Sequence, residues 1–212
     1  ILERRKTFNF SEEVERLESC WSRDTMTQTI YAPDQYYHIY NRGVNRQPIF
    51  FTRHNWTFFL QRLNEYFTAD KAIVVAYCLM PNHYHLLVHV LDAAFSFSVM
   101  QPFVTSYTKA INKEQDRVGT LFQGRFKGIL VDNNDYLVHL SRYIHRNPVD
   151  AGLVARPADW VFSSYRDYIG LRQGKLPHPD IVLGQFSSRA DYAAYVEGTE
   201  QGYGPIEHLL LD

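Results

Sequence analysis

Two extended runs joined by a two-residue turn constrain the fold of this chain more than any other feature. Lys71 to Met80 is rich in β-branched and apolar residues, Pro81-Asn82 is a turn signal, and His83 to Val90 resumes an extended pattern. The pair predicts two antiparallel strands. Upstream, Gln35 to Tyr40 reads as another strand, which breaks at Asn41-Arg42-Gly43. Between these segments Trp56, Phe59, Leu60, Leu63 and Phe67 fall at the spacing of one buried helical face, predicting a helix over 54–67. A second helix is predicted over about 98–115, with Pro102 near its first turn and Met100, Phe103, Val104, Tyr107 and Ile111 on one side. Two short extended runs follow, around Gly124 and Gly128. A third helix is predicted to begin at Asn133 or Asn134, either of which can cap it, and to stop at Asn147 because Pro148 disfavours continuation.

The order strand, helix, strand, strand, helix, strand, helix predicts an α+β fold, a ferredoxin-like antiparallel sheet with helices packed on one face. With 212 residues, 45% of them hydrophobic and 21% charged, the chain can bury a core, which excludes intrinsic disorder, collagen and a bare disulfide scaffold. Its longest apolar stretches are strand-sized, short of the roughly 18 residues of a membrane span, so no membrane association is expected. Cys20 and Cys78 lie far apart and no hydrophobic leader is evident, which points to a reducing cytoplasm. Three regions are expected. Residues 1–34 form an accessory helical leader, with Ser11 as a cap and Val14, Leu17 and Trp21 along one side. Residues 35–170 form the main domain, onto which Trp160, Phe162, Tyr165 and Tyr168 pack back. Residues 171–212 form a polar tail, rich in Gly and Pro, with a short helix at 188–196.

Chemistry concentrates in the main domain. Residues 36–150 hold seven of the nine histidines, and 12 basic against 8 acidic side chains, within a chain whose net charge is -1. That local excess permits a polyanionic partner without requiring one. In Pro81-Asn82-His83-Tyr84-His85-Leu86-Leu87, residues two apart on a strand share a face, so His83 and His85 can present two imidazoles to one ion. Hydrogen-bonded structural histidines would produce the same spacing. His89 continues the face but lies roughly 13 Å beyond His85, outside any common site. On the third helix Tyr143 and Asn147 stand one turn apart on the same side, so a phenol and an amide oxygen face a common point. Packing of Tyr143 and a helix-ending role for Asn147 would explain that pair alone; beside the two histidines, a shared site explains it better. Arg42 and Arg46 after the first strand, Arg125 and Lys127 in the extended segment, and Arg142 and Arg146 beside Tyr143 are candidates for phosphate contact.

The segments Tyr36 to Arg46, Met80 to Leu86, Tyr143 to Val149 and Trp160 to Tyr165 together resemble the single-tyrosine HUH transposases, and within them the REP-associated tyrosine transposases. Tyr84 departs from the plain hydrophobe usual between the two histidines. The resemblance implies an HUH endonuclease fold in the main domain, with His83 and His85 as metal ligands, Asn147 as the third ligand and Tyr143 as the nucleophile. It also implies a single-stranded, hairpin-forming DNA substrate carrying REP-like palindromes, cut through a 5′-phosphotyrosine intermediate. Mixed nitrogen and oxygen ligands suit Mg²⁺ or Mn²⁺. A monomer and a homodimer both fit the sequence, as does a nucleoid location. Two other functions stay open. One is a catalytically silent module that binds single-stranded nucleic acid. The other is a zinc hydrolase, which the lack of a general-base glutamate beside the histidines disfavours.

Overall fold

A strand buried on both faces must be apolar at nearly every position, and the run from Ala72 to Met80 is such a strand. The computed structural model describes residues 30–198. In it β1 (Gln35–Arg42), β2 (Ala72–Met80), β3 (His83–Val90) and β4 (Lys127–Val131) form one antiparallel sheet in the order β2-β3-β1-β4. The helices are α1 (Arg53–Tyr66), α2 (Gln101–Glu114), α3 (Asn134–Asp150) and three short C-terminal ones, α4 (Tyr165–Tyr168), α5 (Asp180–Leu183) and α6 (Arg189–Glu197). The expected helix around Ser11 lies outside the described residues.

The α+β antiparallel sheet is the expected one, but the helices divide between its two faces instead of sharing one. Tyr84, Leu86 and Val88 of β3 pack with Phe59 and Leu63 of α1 and with Phe103, Tyr107 and Ile111 of α2. On the opposite face Leu87 packs with Leu137, Leu140, Tyr143 and Ile144 of α3. A bulge between Val74 and Ala76 adds one residue to β2 and reverses which parity faces which helices. Ala72 and Val74 therefore lie with Tyr77 and Leu79 on the α1/α2 side, while Cys78 and Met80 face α3. An apolar stripe on α3 as wide as those of α1 and α2 needs a sheet face of its own, hence the second layer.

Two helix boundaries fix the geometry of the site. Asn133 caps α3, its side-chain oxygen accepting from the Tyr136 amide at 2.8 Å. The other end runs past the predicted stop: Pro148 lies inside α3, which continues to Asp150. Pro148 is buried, and the backbone bonds around it persist, Ala151 N to Asn147 O and Leu153 N to Pro148 O, both 2.9 Å. Burial of the ring and these bonds offset the lost amide donor, so Asn147 sits within a closed helical turn.

The segment after α3 covers the outer edge of β2. Leu79 N donates to Phe162 O at 3.0 Å, Ser164 N to Tyr77 O at 2.9 Å, and His178 N to Val74 O at 2.9 Å. Residues 171–198, read from sequence as a polar tail, supply Val182, Tyr192 and Val196 to the core beneath α3. Tyr192 and Val196, four residues apart on α6, form the small apolar face that docks there. Among the described residues no helix is long and apolar enough to cross a membrane.

Candidate active site

Strand register sets the floor of the site. β1 and β3 pair Tyr40 with His85 and Arg42 with His83, and all four belong to the sheet face that α3 covers. The His83 and His85 rings stand edge to face with centroids 4.9 Å apart. From α3 above, Asn147 Oδ1 lies 3.3 Å from His83 Nε2. The Tyr143 ring meets the His85 ring at 5.2 Å and the His38 ring at 6.2 Å, both edge to face. Strand and helix thus bring His83, His85, Tyr143 and Asn147 together. His89 is apart from them, stacked on Tyr36 at 4.5 Å.

The hydrogen bonds behind the two imidazoles are as telling as the groups in front. His83 Nδ1 is 2.7 Å from Asn82 Oδ1, and the Asn82 amide nitrogen donates to Arg46 O at 3.1 Å, which fixes that oxygen toward the ring. Burial pushes the His83 imidazole down to about 4, with the Asn147 contact opposing and Arg42 reinforcing the shift, so the ring is neutral at pH 7. A neutral ring that donates from Nδ1 to Asn82 turns an Nε2 lone pair toward the Asn147 oxygen. His85 is fully buried; its Nδ1 is 2.9 Å from His38 Nε2, and its Nε2 has no hydrogen-bond partner. Burial holds His85 well below the ordinary imidazole range, with His83 and His38 adding to the effect. Two imidazole nitrogens and an amide oxygen thus converge, and one of them, His85 Nε2, is orphaned: this donor set suits a cation. The set is two imidazoles and an amide, and among the described residues no group of three His, Cys, Asp or Glu side chains is arranged to hold a metal ion.

The family model described as "Transposase IS200 like" matches residues 31–147, more than half of the chain. The chain belongs to the IS200-like transposase family. This is a DNA-processing family, and the match spans the sheet, α1, α2 and α3 as far as Asn147. The chain is also 28% identical over 121 residues to a Haemophilus influenzae protein named "Putative REP-associated tyrosine transposase", covering 49% of this chain and 68% of that protein. A solved structure of a REP-associated tyrosine transposase bound to a REP hairpin superposes with a TM-score of 0.55 at 16% identity, over 71% of this chain and 95% of that one, and shares its fold. The resemblance to REP-associated tyrosine transposases seen in the sequence therefore stands.

The basic residues of this IS200-like chain separate into two groups. Arg42 is half-buried beside His83, and Arg46 is exposed in the short turn Val44–Arg46 that Asn82 contacts. Arg125 and Lys127 are exposed, Lys127 lying opposite Tyr40 across the β1/β4 pair. The turn before them is tied to the end of β1 by Gln123 N donating to Arg42 O at 2.8 Å. Arg142 and Arg146, the other two candidates for phosphate contact, are turned toward the C-terminal segment. Arg142 is 3% exposed and donates to Tyr195 O at 3.0 Å and Gly198 O at 3.2 Å. Arg146 donates to Val196 O at 3.1 Å and to Asp150 at 3.2 Å. Each precedes a site residue by one position, about 100° around the helix, and so lies on the flank that α6 covers; there they satisfy the terminal carbonyls at the α6 C-terminus.

Two residues that touch the site carry no role in the sequence pattern, His38 and Asn82. His38 was detectable in principle. It shares the parity of Tyr40 and Arg42 on β1, but nothing in one sequence shows which strand β1 pairs with or in what register.

Proposed function

We propose that this chain is a metal-dependent endonuclease and strand transferase for single-stranded, hairpin-forming DNA, with Tyr143 as its nucleophile. The observation that carries the reading is the convergence of the Tyr143 ring with His83, His85 and Asn147, where His85 Nε2 is buried without a hydrogen-bond partner and Asn147 Oδ1 lies 3.3 Å from His83 Nε2. His83, His85 and Asn147 would hold Mg²⁺ or Mn²⁺. When bound, that ion polarises the scissile phosphate and offsets charge developing on its oxygens.

The chain's own residues do the rest. Tyr143, one helical turn before Asn147, is carried on a helix clamped from both sides, which limits the orientations its hydroxyl can take. Its phenolic oxygen bonds to phosphorus as the bond to the 3′ oxygen breaks. The proton lost by the phenol is balanced by one gained at the 3′ oxygen, leaving a 5′-phosphotyrosine and a free 3′-hydroxyl. A 3′-hydroxyl attacking that linkage exchanges one phosphodiester for another and needs no external energy source. Arg42, Arg46, Arg125 and Lys127 flank the β1/β3 end of the site and are the side chains offered to the DNA backbone. Hairpin DNA is favoured as substrate because the solved structure that shares this fold is bound to a REP hairpin.

The test is cleavage of an end-labelled single-stranded oligonucleotide carrying a REP-type hairpin, with and without Mn²⁺. His83→Ala and Asn147→Ala should each abolish metal-dependent cleavage while the proteins remain folded. Undiminished cleavage by either variant, or cleavage in excess chelator, would refute the ligand set.

A further inference from the structure

We propose that His38 is the positioning residue for His85, fixing that ring so that Nε2 presents a lone pair to the cation site. The inference rests on the metal-dependent function proposed for this site and extends it to a residue outside the ligand set.

His38 and His85 are both fully buried, and one hydrogen bond of 2.9 Å joins His38 Nε2 to His85 Nδ1. Two neutral rings share that contact in two ways. If His38 donates, His85 carries its own proton on Nε2, where an N–H would point into the site and repel a cation. If His85 donates from Nδ1, its Nε2 is a lone pair and His38 carries its proton on Nδ1. The outer atoms of the pair, His38 Nδ1 and His85 Nε2, both lack a hydrogen-bond partner. Neither arrangement is therefore pinned from outside, and the one that a cation can use is selected when the cation binds. Each ring keeps one proton throughout; both protons change nitrogen and none is released.

His38 thus does for His85 what Asn82 does for His83, accepting from Nδ1 and leaving Nε2 for the ion. The two supports differ in kind. Asn82 is oriented by its second bond to Arg46 O and offers an acceptor only, whereas His38 can exchange roles with its partner. The His38 and His85 ring centroids are 5.1 Å apart, the separation expected when the 2.9 Å bond lies near the plane of both rings. Outer-shell partners of this type typically change metal affinity by about 10- to 100-fold.

The experiment measures Mn²⁺ binding in the absence of DNA, by electron paramagnetic resonance of free Mn²⁺, for the wild type, His38→Leu and His38→Gln. Long-range ¹H–¹⁵N spectra of the wild-type imidazoles accompany it. Gln places an amide oxygen where Nε2 lies and can accept from His85; Leu cannot. The expected result is a loss of about 10- to 100-fold in affinity for His38→Leu, recovered largely by His38→Gln. In the spectra, His85 should carry its proton on Nδ1 once a diamagnetic Mg²⁺ is bound. Equal Mn²⁺ affinity in wild type and His38→Leu would overturn the positioning role while leaving the metal reading intact. Mg²⁺-saturated wild type with the His85 proton on Nε2 would do the same without any variant. Wild type that binds no Mn²⁺ would overturn the metal reading and this inference with it. Thermal unfolding of each variant separates loss of the site from loss of the fold.

Discussion

Acid should destabilise this protein well before its carboxylates titrate, because three histidines are sealed in the core as neutral rings. His38, His85 and His145 are fully buried. Burial lowers His38 and His145 to about 3 and holds His85 well below its ordinary value. His145 also has both nitrogens committed, Nδ1 to Tyr192 Oη at 2.6 Å and Nε2 to Ser164 Oγ at 2.8 Å. In the unfolded chain each ring titrates near 6.5. Below that pH the unfolded state binds protons that the native state refuses, so stability falls as pH falls from about 6.5 toward the native-state values. At pH 5 the His38 and His145 rings, each held near 3, cost about 2 kcal/mol apiece relative to pH 7, about 4 kcal/mol together, and His85 and His83 add in the same direction. That is comparable to the whole stability of a domain of this size. The assay is urea unfolding followed by circular dichroism at half-unit steps from pH 7.5 to 5, in chelator so that metal binding does not enter. His145→Gln, which lies outside the site, should remove about 2 kcal/mol of the loss between pH 7 and 5. A midpoint that does not move between pH 7 and 5 would refute the neutral, sealed state of these rings.

Further outcomes follow from the placement of charge and small residues. Replacing Arg42, Arg46, Arg125 or Lys127 by Ala should lower affinity for single-stranded DNA and reduce the slope of log affinity against log salt by about 0.7 for each phosphate no longer neutralised. Arg142→Ala should leave that slope unchanged and instead lower unfolding stability by about 2 kcal/mol, since it removes the buried guanidinium's hydrogen bonds to the Tyr195 and Gly198 carbonyls at the α6 terminus. Gly128→Ala should destabilise by about 1–3 kcal/mol in thermal unfolding, because the added methyl would collide with the Tyr31 ring and hydroxyl. A mild effect there would mean that the Tyr31 ring can swing aside.

Much of this was legible in the sequence, for identifiable reasons. Local periodicity exposed β2, β3, α1 and α2, and a strand's two-residue repeat sufficed to place His83 and His85 side by side. Helical spacing likewise put Tyr143 and Asn147 on one side of α3. The missing parts depend on tertiary partners that no local pattern encodes. Arg142 and Arg146 read as candidates for phosphate contact because α6, whose carbonyls they satisfy, lies in a stretch that looks polar apart from Tyr192 and Val196. Pro148 read as a stop because the local penalty is visible and the compensating burial is not. His38 escaped notice for a related reason: its importance comes from strand register across 47 positions, through a single bond to His85.

The most direct test of the central claim is to incubate the protein with a labelled hairpin oligonucleotide and Mn²⁺, digest it, and locate the covalently attached nucleotide by mass spectrometry. The expected product is a 5′-phosphate ester on Tyr143 that disappears in Tyr143→Phe. An adduct on any other side chain, or one that persists in Tyr143→Phe, would contradict that claim.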